Sequence, residues 1–339
     1  MANKWYEKSG AEGDVVISSR IRLARNLNGY PFPHLLNLQQ KNEIANKVKD
    51  ALENSNSYIA KTFKFINMSQ LSPVEATSLA ERHIISPNFA KNRAGKYLLI
   101  SDDESISIMI NEEDHLRIQV LSEGLSLKEA YEVADKIDTL LDNKLGFAFH
   151  NKLGYLTQCP TNLGTGLRAS VMLHLPALQS GSVINRLEDN LSKIGLTLRG
   201  TFGEGSEAQV GLYQLSNQVT LGLSEETAIK NLHSVTMQII GNEREARAQL
   251  CKHIDTQDYI MRCFGTLKYS LMLNNKENLS MLSAIRLGIS QKLIDNISFD
   301  TINTLMVELQ PATLTKKAGK ELTPQQRDKL RAELVKKHI

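Results

Sequence analysis

Two stretches of alternating apolar and polar residues most constrain how this 339-residue chain can fold. They cover 105–110 and 116–121, and a period of two is typical of strands that bury one face. The residues between them, 111–115, would connect them as antiparallel neighbours. Further strand-like stretches are 97–101, 170–175, 196–201, 209–215 and 218–223. The sequence thus predicts a domain built around an antiparallel sheet.

Helical signals flank this sheet and then replace it. Ser72 with Glu75, and Ser126 with Glu129, have the spacing of capping boxes, and 182–194 has apolar positions at helical spacing. After about Glu225 the pattern is helical to the end, with a loop expected over 313–320. We predict an α+β protein with a sheet-containing domain over 1–240 and a mostly helical domain over 241–339.

Composition excludes several classes of protein. Hydrophobic residues make up 41% of the chain, and the 40 Lys and Arg residues against 37 Asp and Glu leave a net charge of +3, which argues against direct binding of nucleic acid. No apolar run has the length of a membrane span, and the first residues lack a signal peptide, so we expect no membrane association and a cytoplasmic location. Cys159, Cys251 and Cys263 have neither disulfide nor metal-site spacing, so we predict no metal site.

Five arginines stand in short segments that also carry Glu113 and Glu204. The five are Arg20, Arg22, Arg117, Arg168 and Arg199. Guanidinium groups stay protonated and repel one another, so their convergence requires a polyanion such as a triphosphate. Arg20 and Arg22 are two residues apart and would point to the same face of a strand. Taken singly, each of these residues is more typical of a solvated surface or a surface ion pair than of a binding site.

Glycines accompany the arginines. Gly164, Gly166, Gly203 and Gly205 would let backbone amides approach phosphate oxygens, although such glycines also occur in plain turns. The sequence contains no GxxxxGK[ST] element, so the predicted nucleotide site is not a P-loop.

Four strings, in the same order, resemble the signatures of the phosphagen (guanidino) kinases. They are VISSRIRLARN at 16–26, NEEDHLRI at 111–118, CPTNLGTGLRASV at 159–171 and RGTFGE at 199–204. The resemblance covers about 15–240 and implies that family's antiparallel sheet flanked by helices. It implies that the five arginines hold the nucleotide phosphates, that Glu113 and Glu204 grip the acceptor guanidinium, and that Cys159 is the thiol beside it.

Carried over position by position, the resemblance implies a larger nucleotide site. Its residues are Ser18, Ser19, Arg20, Ile21, Arg22, His83, Arg117, Arg168, Ala169, Ser170, Val171, Met172, Arg199, Gly200, Thr201, Phe202, Gly203 and Glu204. Met172 stands where arginine kinases have a histidine near the adenine, so that contact does not carry over unchanged. His83 resembles the protein-arginine-kinase branch and is expected beside the nucleotide instead.

Two features favour that bacterial protein-arginine-kinase branch. Kinases that act on small guanidino compounds have a long helical domain before the SSRxR-like segment, whereas here that segment begins at Ser18, so we expect one wall of the acceptor pocket to be missing. The string RDKLRA at 327–332 resembles the RDxxRA phosphoarginine-binding motif of the branch. Helical spacing would place Arg327 and Arg331 on one face to bracket a phosphate, while Asp328 would take the guanidinium.

The resemblance implies an ATP-dependent kinase, with Mg²⁺, that phosphorylates arginine side chains of proteins. It also implies protein substrates with exposed arginines, an activator protein, a heat-shock repressor, a downstream ATP-dependent protease, a homodimer and a role in the stress response. Two alternatives remain open: a metabolic kinase that acts on free arginine, and a non-catalytic adaptor that binds phosphoarginine.

Overall fold

The computed structural model describes residues 4–55, 59–200 and 210–339. Its strands are β1 (Val16–Arg25), β2 (Phe63–Asn67), β3 (Tyr97–Ser101), β4 (Ile106–Ile110), β5 (Leu116–Glu123), β6 (Phe149–His150), β7 (Gly154–Tyr155), β8 (Leu167–His174), β9 (Leu196–Gly200) and β10 (Leu212–Asn217). Its α-helices are α1 (Leu38–Glu53), α2 (Pro73–Glu81), α3 (Pro87–Lys91), α4 (Leu127–Leu145), α5 (Pro176–Ser180), α6 (Ile184–Lys193), α7 (Glu225–Leu250), α8 (Ile254–Tyr269), α9 (Asn275–Ser290), α10 (Phe299–Glu308), α11 (Pro311–Ala318) and α12 (Pro324–Lys336).

Eight strands form one antiparallel sheet in the order β2-β3-β4-β5-β1-β8-β10-β9, and β6 and β7 form a separate hairpin. Helices α1, α4 and α7 cover one face, where Ile21, Leu23 and Ile118 belong to the main apolar core. Strand β4 is buried on both faces, because Ile108 joins this core while Met109 joins a second cluster beneath α2 and α3. The predicted antiparallel sheet flanked by helices is confirmed.

The C-terminal helices pack on the same sheet. Their apolar core also takes in Trp5 and Tyr6 from the start of the chain and Met172 from β8. Two fully buried arginines reinforce the contact, since Arg247 and Arg286 both donate to the backbone carbonyl of Asp14 just before β1. Helix α7 runs through the predicted boundary at 240/241, and the division into two domains stays a prediction. Among the described residues, no helix combines the length and apolar character needed to cross a bilayer.

Three local predictions are wrong. The stretch 218–223 is not a strand, because the Thr220 hydroxyl bonds to two backbone carbonyls and Gly222 turns the chain with a φ of +80°. The loop expected over 313–320 is mostly helix α11, whose first amides are capped by the Glu81 carboxylate. Ser126 makes no capping box, because its hydroxyl donates to the carbonyl of Glu123 instead. The box at Ser72 is confirmed.

Candidate active site

Strand register brings the predicted arginines to one face of the sheet. Arg20 and Arg22 lie two apart on β1, so their side chains point the same way. Arg22 lies directly opposite Arg168 of β8, and Arg117 of β5 lies opposite Ala24, on the same face as Arg22. Opposed Cα atoms in an antiparallel pair are only about 5 Å apart. The fold therefore forces these guanidinium groups together.

The arginines line a cavity of about 620 Å³. Its walls include Arg20, Arg22, Glu81, His83, Ser86, Met109, Arg117, Gln119, Arg168, Arg199, Gly200, Gln214, Ser216 and Gln310. The Nε groups of Arg22 and Arg168 are buried and have no hydrogen-bond partner among the residues that the structure describes. Because a buried donor without an acceptor costs free energy, these walls fit a ligand with many acceptor oxygens, such as a triphosphate.

A second, smaller recess of about 240 Å³ adjoins this cavity. We call it the acceptor recess, and it is lined by Arg22, Ala24, Glu113, Arg117, Cys159, Thr161, Asn162, Gly166 and Arg168. Arg22, Arg117 and Arg168 line both spaces, so these three side chains mark the boundary between them. The recess supplies a carboxylate at Glu113 and a thiol at Cys159, which lies 3.0 Å from the Thr161 hydroxyl.

Positive charge at this boundary is only partly compensated. Arg117 bridges two carboxylates, at 2.5 Å from the buried Glu112 and 3.1 Å from Glu113. Burial, together with the charges of Arg117 and Arg168, lowers the pKa of Arg20 to about 10. Burial and the same kind of repulsion hold the pKa of Arg22 well below its usual range. A bound polyanion would remove this repulsion.

His83 lies on the cavity wall, as predicted, in a left-handed conformation with a φ of +61°. Its ring meets the edge of Trp5 at a centroid distance of 6.0 Å. Burial and the nearby charge of Arg20 lower the pKa of His83 to about 4. The ring is therefore neutral at pH 7 and adds no further cation to the site.

The predicted nucleotide-binding residues lie on both faces of the sheet, because side chains alternate in direction along a strand. Seven line the cavity: Arg20, Arg22, His83, Arg117, Arg168, Arg199 and Gly200. Ser170 supports one of them, because its hydroxyl accepts a bond of 3.3 Å from Arg20. Ile21, Ala169 and Val171 point into the core on the opposite face, and Met172 packs in the C-terminal apolar cluster.

Ser18 and Ser19 are buried, and the Ser19 hydroxyl donates to the carbonyl of Gly124. Gly166 borders the acceptor recess with a φ of +61°, whereas Gly164 packs against the backbone of Thr220 and not against the cavity. Thr201, Phe202, Gly203, Glu204 and Gly205 lie outside the described residues.

Several cavity residues were not predicted. Gln119 and Gln214 share the arginine face of the sheet, and the period of two along β5 could have identified Gln119 from Arg117. Glu81 and Gln310 reach the cavity only through the packing of α2 against α11, which no local pattern encodes.

The RDKLRA string forms the start of α12, with Thr323 and Gln326 in a capping box. Arg331 is only 1% exposed, and its guanidinium donates to the carbonyls of Leu309 and Leu273. Asp328 accepts a bond of 2.7 Å from Arg331. Arg331 therefore holds neighbouring backbone in place, whereas Arg327 is half-buried.

Comparison with known proteins agrees with this geometry. Residues 43–246 match the family "ATP:guanido phosphotransferase, C-terminal catalytic domain", and residues 253–339 match "Protein-arginine kinase McsB C-terminal domain". The chain is 49% identical to a protein-arginine kinase of Halothermothrix orenii, over 99% of this chain and 96% of that protein. It is 47% identical to one of Moorella thermoacetica, over 98% and 96%.

Solved structures give the same relationship at greater distance. A duplicated taurocyamine kinase of Schistosoma mansoni superposes with a TM-score of 0.61 at 31% identity; the match covers 68% of this chain but only 33% of that one. A lombricine kinase superposes with a TM-score of 0.61 at 25% identity, over 74% of this chain and 72% of that one. With its matched catalytic and C-terminal regions, this chain belongs to the protein-arginine kinases of the ATP:guanido phosphotransferase family.

Proposed function

We propose that this protein transfers the γ-phosphoryl group of ATP to arginine side chains of proteins. One observation carries the proposal: the cavity lined by five arginines lies beside the acceptor recess that contains Glu113 and Cys159. Three of the arginines line both the cavity and the recess. A triphosphate in the cavity would place its terminal phosphate at this boundary. The relatives that match over nearly the whole chain bear the name protein-arginine kinase, which supports a protein substrate.

The transfer requires an oriented and deprotonated guanidinium. One nitrogen of the substrate arginine attacks the γ-phosphorus, an N–P bond forms, and the bond from that phosphorus to the β-phosphate oxygen breaks, so ADP leaves. Glu113, which lines the recess, would hold the guanidinium by paired hydrogen bonds together with Glu204, and one of these two carboxylates would accept the proton from the attacking nitrogen. Glu204 is proposed as the second carboxylate, and Cys159 as a thiol that contacts the acceptor.

The proposed Mg²⁺ would enter the cavity bound to the phosphates of ATP. Within the described part of the chain, no three His, Cys, Asp or Glu side chains cluster as metal ligands. Mg²⁺ commonly binds through substrate phosphates and water with few protein carboxylates, so Mg·ATP is the substrate that fits this arginine-rich cavity.

Phosphoarginine can be identified directly. Incubation with Mg·ATP and a basic, unfolded protein, followed by mass spectrometry at neutral or mildly basic pH, should find the phosphate on arginine. Free arginine serves as the competing acceptor, and a preference for it would favour a metabolic guanidino kinase. Absence of phosphoarginine under all conditions would instead favour the adaptor.

Regulation, assembly and cellular role form the rest of the proposal. Residues 327–331 would bind phosphoarginine and couple its occupancy to kinase activity. A homodimer in the cytoplasm would act in the stress response with an activator, a heat-shock repressor and an ATP-dependent protease, as the family resemblance suggests. Titration of a phosphoarginine peptide against wild type and Arg327→Ala tests the first part, since equal affinities would remove Arg327 from the site.

A further inference from the structure

A groove lined by exposed apolar side chains lies beside the β6–β7 hairpin. Phe149 and Leu153 from the hairpin, and Leu221 and Leu223 from the segment before α7, line a groove of about 320 Å³. We call it the hairpin groove, and Tyr155 forms part of its wall. Phe149 is 57% exposed and Leu221 is 49% exposed. Grouping exposed apolar side chains around one groove is typical of a binding surface, whereas scattered ones are ordinary.

The hairpin groove and the acceptor recess share one loop. Gly164 and Thr165 line the groove, while Thr161 and Gly166 of the same loop line the recess. Thr220, in the groove wall, donates its hydroxyl to the carbonyl of Thr161 at 3.0 Å and accepts from the amide of Thr165 at 3.0 Å. A ligand in the groove therefore touches the backbone layer that holds the recess beside Cys159.

The wall around Tyr155 is fixed by the core. The Tyr155 ring carries the Arg25 guanidinium at 3.5 Å from its centroid, and Arg25 is paired with the buried Asp138 at 2.9 Å. Arg25 also donates to the carbonyl of Thr165, and the Tyr155 amide donates to that of Gly164. The groove is thus preformed, so an occupant would lose little free energy in ordering the protein.

Its dimensions and chemistry select one kind of occupant. Nucleotides are disfavoured, because the lining carries a single basic side chain, Lys152, and an acid at Glu225 among the described residues. A second copy of this chain would need about 20–30 residues per side for a stable interface, far more than this groove offers. A polypeptide that has its target arginine in the recess and continues across the shared loop brings a neighbouring side chain to the groove.

We propose that the hairpin groove binds an apolar side chain of the polypeptide substrate, within a few residues of the arginine that is phosphorylated. The inference rests on the proposed function and names its substrate class: arginines flanked by large apolar residues, as exposed in unfolded chains. An extended peptide advances about 3.3 Å per residue, so a few residues suffice to cross the thickness of one loop.

The test uses the full-length protein and a set of peptides with one arginine in a Gly-Ser background. Leucine is placed in turn at each position from three before to three after the arginine, and kcat/KM for phosphoarginine formation is compared with that of the leucine-free peptide. We expect at least one position to raise kcat/KM about tenfold in wild type. In Phe149→Ser and in Leu223→Ser, the ratio of kcat/KM for the leucine-containing peptide to kcat/KM for the leucine-free peptide should fall towards one. The leucine-free peptide itself should be phosphorylated as in wild type.

Ile194→Ser is the matched control, because Ile194 is an exposed apolar residue outside the groove, and its ratio should stay as in wild type. Equal kcat/KM for all peptides in wild type, or a leucine preference that persists in both groove variants, would overturn the inference and leave the proposed function standing. Failure of wild type to phosphorylate any peptide would count against the proposed function itself. Loss of the preference together with a change in oligomeric state by light scattering would reassign the groove to contact between copies and overturn the inference.

Discussion

Crowding of the arginines that line the cavity should lower the stability of the nucleotide-free protein. Replacing Arg20 by methionine keeps an unbranched apolar stem and removes the charge. Burial and the charges of Arg117 and Arg168 lower the pKa of Arg20 from its ordinary value of 12.5 to about 10. Each pKa unit corresponds to about 1.4 kcal/mol, so the charged form is disfavoured by about 3 kcal/mol. Because the folded-state pKa is lowered, this cost is present below pH 10, and it is fully present at pH 7.

Methionine also gives up two hydrogen bonds. Arg20 donates to Gln214 at 2.5 Å and to Ser170 at 3.3 Å, and each bond is worth about 1 kcal/mol. The net expectation for Arg20→Met is a gain of about 1 kcal/mol in the free energy of unfolding, with loss of most of the stabilisation by Mg·ADP. A wild-type enzyme at a hundred times its Kd should gain about 2.7 kcal/mol from that ligand.

Urea unfolding at pH 7, with and without Mg·ADP, measures both quantities. Arg262→Met is the matched control, since Arg262 is 76% exposed in an ion pair with Asp258 and should change stability by less than about 0.5 kcal/mol. If Arg20→Met lost 2 kcal/mol or more without ligand, Arg20 would be a structural ion partner and the crowding argument would be wrong. If its Mg·ADP stabilisation matched wild type, Arg20 would not hold the phosphates.

Three further outcomes are expected. Glu113→Gln should lower kcat for phosphoarginine formation about 10²–10⁴-fold and leave Mg·ADP affinity nearly unchanged, and near-normal turnover would mean that Glu113 neither orients nor deprotonates the acceptor. Arg331→Ala should cost about 2–4 kcal/mol in urea unfolding, because two backbone carbonyls lose their buried donor, whereas the exposed Lys329→Ala should be neutral. His83, with its pKa near 4, is protonated in the unfolded state before the folded state as pH falls, so stability should fall between about pH 6.5 and 4. His83→Asn, which tolerates a positive φ, should flatten that dependence, and an unchanged slope would contradict the assignment.

Local sequence patterns were enough to predict the strands and the direction of the side chains along them. Period-two alternation placed β4 and β5, and the spacing of Arg20 and Arg22 predicted their shared face, because a strand fixes side-chain direction from residue to residue. The same rule shows why a matching string is not a list of contacts. Ile21 and Val171 lie within such strings, yet they point into the core on the other side of the sheet.

Failures occurred where distant residues decide the structure. Helix α11 looked like a loop because its N-terminal cap is the carboxylate of Glu81, more than two hundred residues away in sequence. The burial of Arg331 depends on the carbonyls of Leu309 and Leu273, which no pattern within α12 reveals. The strand expected over 218–223 does not form, because the Thr220 hydroxyl donates to backbone carbonyls in the loop at 161–163.

These distant contacts also join the C-terminal helices to the nucleotide cavity. Glu81 lines the cavity and at the same time caps α11, while Arg331 of α12 holds the carbonyl of Leu309, next to the cavity residue Gln310. A phosphoarginine that drew Arg331 away from that carbonyl would release the segment carrying Gln310. Since coupling between two sites is reciprocal in binding free energy, a nucleotide that fixes Gln310 would change phosphoarginine affinity by the same factor. Gln310, directly before α11, therefore joins the C-terminal region to the cavity wall, and we propose that regulation acts through these contacts.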